Sequence, residues 1–344
     1  MKNKKYIYRF SQDCTEGNKS LINLLGGKGA NLAEMCNLQI PVPPGFTVST
    51  EVCNYFLQNN TFPEDFKPAL LQSIHDIEKE LGLKFGDADN PLLLSVRSGA
   101  RQSMPGMMET VLNVGLTSKT IVGLIKKTKN EHFVYDSYRR LMMMYADVVM
   151  EKARGDPSDI NNIREHLDSI LMKFKNKNNI SKDSDLSVQD LKKMCAIFKK
   201  EIYTRLKQEF PDDPYEQLWE SIEAVFISWN GRRAKKYREI ENIPNSWGTA
   251  VTIQSMVFGN MGDNSATGVA FTRNPSNGEN TFYGEWLSNA QGEDVVAGIR
   301  TPFPINDHSK NIATKKAQTL ESKFPDLYKN LLKTKEILEK HYSC

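Results

Sequence analysis

Apolar and polar positions change rhythm three times along the chain. Near the start, Lys5–Phe10 sets Tyr6, Tyr8 and Phe10 against Ile7 and Arg9, a period of two that predicts a first strand. Leu24–Gly29 reads as a glycine-rich turn and Ala30–Leu38 as a short helix, stopped by Pro41–Gly45. Phe46–Ser49 is predicted as a strand, with Thr50 capping a helix that starts near Glu51. The apolar run Leu92–Val96 precedes a loop from Ser98 to Gly106. From Ser118 to about Lys207 a helical period prevails: Tyr135, Tyr138, Met142, Tyr145 and Val149 form one stripe. Met142, Met143 and Met144 then read as helix packing. Lys173–Ser187 is polar and reads as a solvated excursion. From Gly248 strands dominate: Val251–Phe258, Val269–Thr272 and Phe282–Leu287, with a loop at Gly259–Gly268. Ile312–His341 returns to helix, broken at Pro325. Strands and helices mix without a regular βαβ alternation, so the pattern predicts a lobed α+β or α/β protein.

Composition narrows this picture without redirecting it. The 344 residues are 39% hydrophobic and 25% charged, an ordinary globular balance. Such a length exceeds what one hydrophobic core usually serves, so two or three lobes are expected. A net charge of +3 gives no global reason to expect nucleic acid or an anionic membrane. No apolar run approaches the roughly 18 residues of a membrane span, and Met1–Arg9 is basic with no apolar segment after it. The five cysteines are odd in number and never spaced CxxC, which predicts reduced thiols in a cytoplasmic protein.

Three blocks carry candidate chemistry. In Gly26-Gly27-Lys28-Gly29, glycines allow backbone amides to approach an anion, and Lys28 adds a full charge ahead of a helix. The spacing is not that of a Walker A loop, and a surface turn is an equal alternative. In Ser95–Thr110, Arg97 and Arg101 follow a buried-looking strand, and a guanidinium fork suits phosphate oxygens. The Met104–Met108 stretch with Pro105 and Gly106 is either a ligand-facing loop or one packed on its own lobe. In Trp247–Gly259, a strand such as Gln254–Val257 offers an adenine an edge and apolar walls, or simply lies in the core. Downstream, Glu285, Glu293 and Asp294 are clustered carboxylates; Glu293 and Asp294 suit helix capping, and Glu285 is the one candidate metal ligand. None of the five histidines has the setting of a phosphoryl acceptor; His75, His166 and His341 read as helix-surface residues.

Together the blocks GGKGANLAEM, SVRSGARQSMPGMMETVLNVGL, WGTAVTIQSMVFGN, GVAFTRNPSNGE and NAQGEDVVAG resemble the N-terminal nucleotide-binding domain of the pyruvate phosphate dikinase family, from about Tyr6 onward. The related phosphoenolpyruvate synthases lack the SMPGMM block. The resemblance implies an α+β, ATP-grasp fold of three subdomains: 1–117 continued by 208–247, a helical insertion at 118–207, and a strand-rich 248–344. It implies that Lys28 and Arg97 meet the ATP phosphates, with Arg101 beside them, and that Ser103, Met104 and Gly106 lie over the phosphates. Gln254, Met256 and Val257 fall at the family's adenine hinge, and Glu285 near the nucleotide.

The family's reaction uses ATP and inorganic phosphate to phosphorylate a histidine on a central domain. AMP and pyrophosphate leave, and phosphoenolpyruvate is then made from pyruvate on a further domain. The family's Mg²⁺ ligands are expected beyond Cys344, which makes this chain a C-terminally truncated piece, monomeric and inactive alone. Its partners are then ATP, phosphate and the phosphohistidine and pyruvate domains. A stand-alone nucleotide-binding module, or phosphoenolpyruvate synthase or water dikinase activity, is the alternative.

Overall fold

A computed structural model describes residues 4–155, 162–296, 300–310 and 316–343. They form two compact units, residues 1–256 and 257–344. The first runs β1 (Ile7–Phe10), α1 (Ile22–Asn37), β2 (Gly45–Val48), α2 (Thr50–Asn59), α3 (Phe66–Leu81), β3 (Lys84–Phe85), β4 (Pro91–Leu92), β5 (Leu94–Gly99) and β6 (Thr110–Val114). The helices α4 (Ser118–Thr128), α5 (Glu131–Tyr145), α6 (Ile163–Lys177), α7 (Val188–Leu206), α8 (Pro214–Ser228) and α9 (Arg232–Ile240) follow, and β7 (Ala250–Ser255) closes the unit. Among the described residues no helix is long and apolar enough to cross a membrane.

The central sheet has the order β1-β2-β7-β5-β6. All its pairings are antiparallel, so registered neighbours share a face. One face carries Phe46, Val48, Val96, Val251 and Ile253, all fully buried. Each contributes about 1.5–3 kcal/mol by leaving water. The opposite face is polar at the same level: Thr47 and Arg97 both register with Thr252. Helix α1 lies against that face, where a methyl group on Gly29 would come 2.5 Å from Thr47 Oγ1.

Ala250–Ser255 is a fully buried strand between β2 and β5, and the first compact unit runs through Met256. Two ladders of backbone hydrogen bonds outweigh closeness in sequence. The segment 118–207 is helical as its period predicts, with good local starts: Thr117 and Thr120 form a capping box for α4, and Ser187 and Asp190 one for α7. Its helices belong to the same compact unit as the sheet. The stripe passes from α5 into a π-helical turn at Ala146–Glu151, and Tyr138, Met142, Tyr145 and Val149 are buried.

Several boundaries shift for identifiable reasons. α1 begins at Ile22, not at residue 30, and breaks only at Gly26 (φ 66°, ψ 173°) before continuing. Thr50 does not cap α2: it is the first helical residue, and its hydroxyl donates to the Asn23 carbonyl. β5 runs through Gly99 because Ser98 and Gly99 pair with Val251 and Ala250. The polar 173–187 stretch is partly helical. α6 extends to Lys177, and a 3-10 turn at Asp183–Asp185 is tied down by Lys175 and Arg139, each bonded to Asp183.

The second unit has a three-stranded antiparallel sheet ordered β10-β9-β8, made of β8 (Ala266–Phe271), β9 (Tyr283–Ser288) and β10 (Phe303–Pro304). α10 (Gly292–Val296), α11 (Leu320–Lys323) and α12 (Pro325–Tyr342) accompany it, and Trp286, Ile305, Leu320 and Tyr328 form its core. Pro325 starts α12 rather than breaking it, because its missing N–H is harmless at the first helical position. Of the expected helix Ile312–His341, residues 316–319 precede α11 without helical structure, and residues 311–315 lie outside the described residues.

Candidate functional site: a cationic corner on the polar face of the sheet

The corner is assembled where the break in α1 meets the end of β5. Gly26 has a backbone conformation essentially closed to residues with a side chain, and a Cβ there would lie 1.6 Å from the Gly99 carbonyl oxygen. That approach lets the Gly27 amide donate to the Ala100 carbonyl at 2.9 Å. The glycines therefore lock two loops together, and each loop carries cations.

Lys28 keeps part of its side chain exposed while its ammonium donates to the Ser98 carbonyl at 2.8 Å. Desolvation of the amine, and then repulsion from Arg97, lower its pKa. Arg97 projects from β5 and donates through Nη2 to Gln254 Oε1. Burial disfavours its charged form as well. Neither Lys28, Arg97 nor Arg101 has an ion-pair partner among the described residues. Lys28 and Arg97 are like charges brought together without a counter-ion, which lowers stability and makes this pair a candidate for anion binding.

The polar wall behind these cations is unusual. Thr47 Oγ1, Thr252 Oγ1 and Arg97 Nε are buried and find no hydrogen-bond partner among the described residues. All three belong to one registered row across β2, β7 and β5. Each unsatisfied buried group costs about 1–3 kcal/mol, so this row under α1 is a locally costly part of the sheet that stands next to the cations.

The other expected residues fall into distinct settings. Arg101 lies 5.2 Å from the centre of the Trp247 ring, and its Nε is buried without a partner. Ser103 and Gly106 are exposed on the loop that follows, and Gly106 has a left-handed φ of 70° with open space around it. Met104 does not face solvent. It is 6% exposed and packs in a cluster with Trp229, Ala234 and Ile243, so its side chain roots the loop instead of covering a ligand. Gln254 is committed on both sides, accepting from Arg97 and donating through Nε2 to the Pro43 carbonyl. The Met256 amide donates to Leu93, whereas Val257 is 72% exposed.

Glu285 is exposed on β9 in the second unit. Asp294 accepts from the Gln291 amide, the capping role expected of it; the side chain of Glu293 lies outside the described residues. No three His, Cys, Asp or Glu side chains among the described residues converge as metal ligands. Sequence reading passed over Thr47, Thr252 and Trp247. The alternation of polar and apolar residues in Phe46-Thr47-Val48 and Val251-Thr252-Ile253 was the available signal for the two threonines.

Comparison with known proteins places the chain in a family. A family model described as pyruvate phosphate dikinase, AMP/ATP-binding domain, matches residues 22–67 and 59–341. The chain belongs to that family. It is 47% identical over 340 residues to the pyruvate, phosphate dikinase of Clostridium symbiosum, covering 98% of this chain and 36% of the relative. It is 48% identical to the chloroplastic pyruvate, phosphate dikinase 1 of Arabidopsis thaliana, covering 98% and 33%. It is 45% identical to the pyruvate, phosphate dikinase of Rickettsia conorii, covering 98% and 37%. The chain thus spans about a third of the length of these relatives.

Proposed function

We propose that the corner around Lys28, Arg97 and Arg101 binds the phosphate groups of ATP, and that the chain serves as the nucleotide-binding part of a pyruvate phosphate dikinase. The observation that carries this is the pair of neighbouring cations Lys28 and Arg97, which have no counter-ion among the described residues. Transfer of a phosphoryl group calls for positioning and charge neutralisation more than for covalent help. Lys28 offers a point charge from α1 and Arg97 a planar fork from β5, so phosphate oxygens are met from two elements. One arm of that fork is held by Gln254, which fixes its plane while Nε stays free to donate. In this reading the exposed residues Ser103 and Gly106 cover the phosphates. The Met256 carbonyl and Val257 amide, rather than the committed Met256 amide, meet the base.

In the whole protein, ATP and inorganic phosphate would phosphorylate a histidine on another domain, releasing AMP and pyrophosphate, and pyruvate would then become phosphoenolpyruvate. An ATP-grasp arrangement with a helical insertion at 118–207, Mg²⁺ assistance and a monomeric chain complete the proposal. Calorimetric titration with ATP, with and without Mg²⁺, tests it. The chain should bind ATP, and Lys28→Ala and Arg97→Ala should weaken that binding. ATP affinities unchanged in both variants would refute the site.

A further inference from the structure

The contact between Arg101 and Trp247 leads back to a second, buried arginine outside the phosphate corner. Arg238 on α9 is 1% exposed and has no ion pair among the described residues. A buried guanidinium without a counter-ion is costly unless its donors are satisfied. Here each guanidinium nitrogen has an acceptor, from Trp229 or Asn245. Nη1 donates to the Trp229 carbonyl, and Nε and Nη2 donate to Asn245 Oδ1 at 3.0 and 2.8 Å. The guanidinium also stacks over the Trp229 ring at 4.1 Å, and Trp229 Nε1 returns to the Asn245 carbonyl at 3.0 Å.

Asn245 begins the single 3-10 turn Asn245–Trp247. Asn54 holds the middle of that turn by donating to the Ser246 carbonyl at 2.9 Å. Gly248 ends it with φ 63°, at a point where a Cβ would stand 2.6 Å from Asn54 Oδ1. Trp247 is therefore presented by a turn fixed at both ends. Its ring meets Arg101, and it packs on the cluster of Met104, Trp229 and Ile243 that roots the loop after Arg101.

We propose that Arg238 is a positioning residue for the phosphate corner. Through Asn245 and Trp229 it fixes the 245–247 turn, and Trp247 so held keeps the Arg101 guanidinium in place with its donors directed to an anion. An aromatic face suits this task better than a carboxylate, because it orients the cation without neutralising it or consuming its hydrogen-bond donors. This inference rests on the nucleotide reading of the corner.

A thermodynamic cycle of ATP affinities on the whole chain tests it. Arg101→Ala should weaken binding about ten-fold. Trp247→Leu should weaken it about three- to ten-fold in the parent, but less than about two-fold when Arg101 is already alanine. Trp247→Phe, which keeps a ring, should recover most of the loss. Arg238→Met should follow Trp247→Leu in both backgrounds. If Arg238→Met does not fold, Asn245→Ala reports on the same link. A loss of equal factor in both backgrounds would mean general loosening and would overturn the proposal, as would no loss from Trp247→Leu. If Lys28→Ala and Arg97→Ala also leave binding intact, the nucleotide reading itself fails. If they weaken binding while the cycle is additive, only the positioning role fails.

Discussion

Adding one methyl group at Gly26 should cripple both stability and nucleotide binding. The residue sits at φ 66°, ψ 173°, where an L side chain costs about 1–3 kcal/mol. Its Cβ would lie 1.6 Å from the Gly99 oxygen and 2.4 Å from the carbonyl carbon, so backbone must move. Relief requires separating α1 from the end of β5, which breaks the bond from the Gly27 amide to the Ala100 carbonyl, a further ~1 kcal/mol. The expected loss for Gly26→Ala is about 3 kcal/mol, or roughly 6–12 °C in melting temperature for a unit of this size. Gly82→Ala is the matched control: φ is 62° but nothing lies within 4 Å of the added methyl, so only ~1 kcal/mol should be lost. Urea and thermal unfolding of the two variants measure the difference, and ATP titration reads the corner. If Gly26→Ala were as stable as Gly82→Ala and bound ATP like the parent, the tight meeting of the two loops would not be what builds the site.

Lys28→Ala and Arg97→Ala should each cost about 1.5–3 kcal/mol of ATP affinity in calorimetry, and Arg97→Lys should not restore the parent value because a point charge cannot hold Gln254 and an anion at once. Lys28 should also give a pH signature. Its pKa is lowered in the folded chain, so the unfolded chain binds the proton more tightly, and stability rises with pH between the folded and the ordinary lysine values. Bound phosphate favours the ammonium, so ATP affinity should fall as pH climbs through that same interval; Lys28→Met should remove that part of the dependence, measured by titration across pH. Trypsin should cut first around Lys177 or Lys182, which flank an exposed stretch between α6 and the 183–185 turn, as mass spectrometry of early fragments would reveal. First cuts within the fully buried Ala250–Ser255 would contradict the placement of that strand.

The sequence made the materials of the site legible, but not their assembly. Glycine and charge chemistry marked Gly26, Lys28 and Arg97, because a positive φ and a concentration of positive charge each call for particular residue types. Helical period marked α5, since Tyr138, Met142 and Tyr145 must share one buried face. Contacts between distant segments left no local trace. Met104 looked like an exposed methionine in a polar loop; its burial depends on Trp229 and Ile243, far along the chain. Thr47 and Thr252 read as ordinary strand threonines until strand register set them beside Arg97. The pairing of Ala250–Ser255 with β2 and β5 left no local trace for the same reason, since its partners lie far back in the chain.

The position of β7 also has a kinetic consequence. β2 and β5 each present an edge that only Ala250–Ser255 fills, and Val48 must wait for Val251 across roughly 200 residues of chain. At a ribosomal pace of about 5–20 residues per second, that interval lasts about 10–40 s. During it the nascent chain holds two strand pairs, β1–β2 and β5–β6, each with an open edge prone to wrong pairing. Thr252 and Gln254 arrive on the strand that ends the wait, so the sheet closes and Arg97 meets its Gln254 partner in one late folding event.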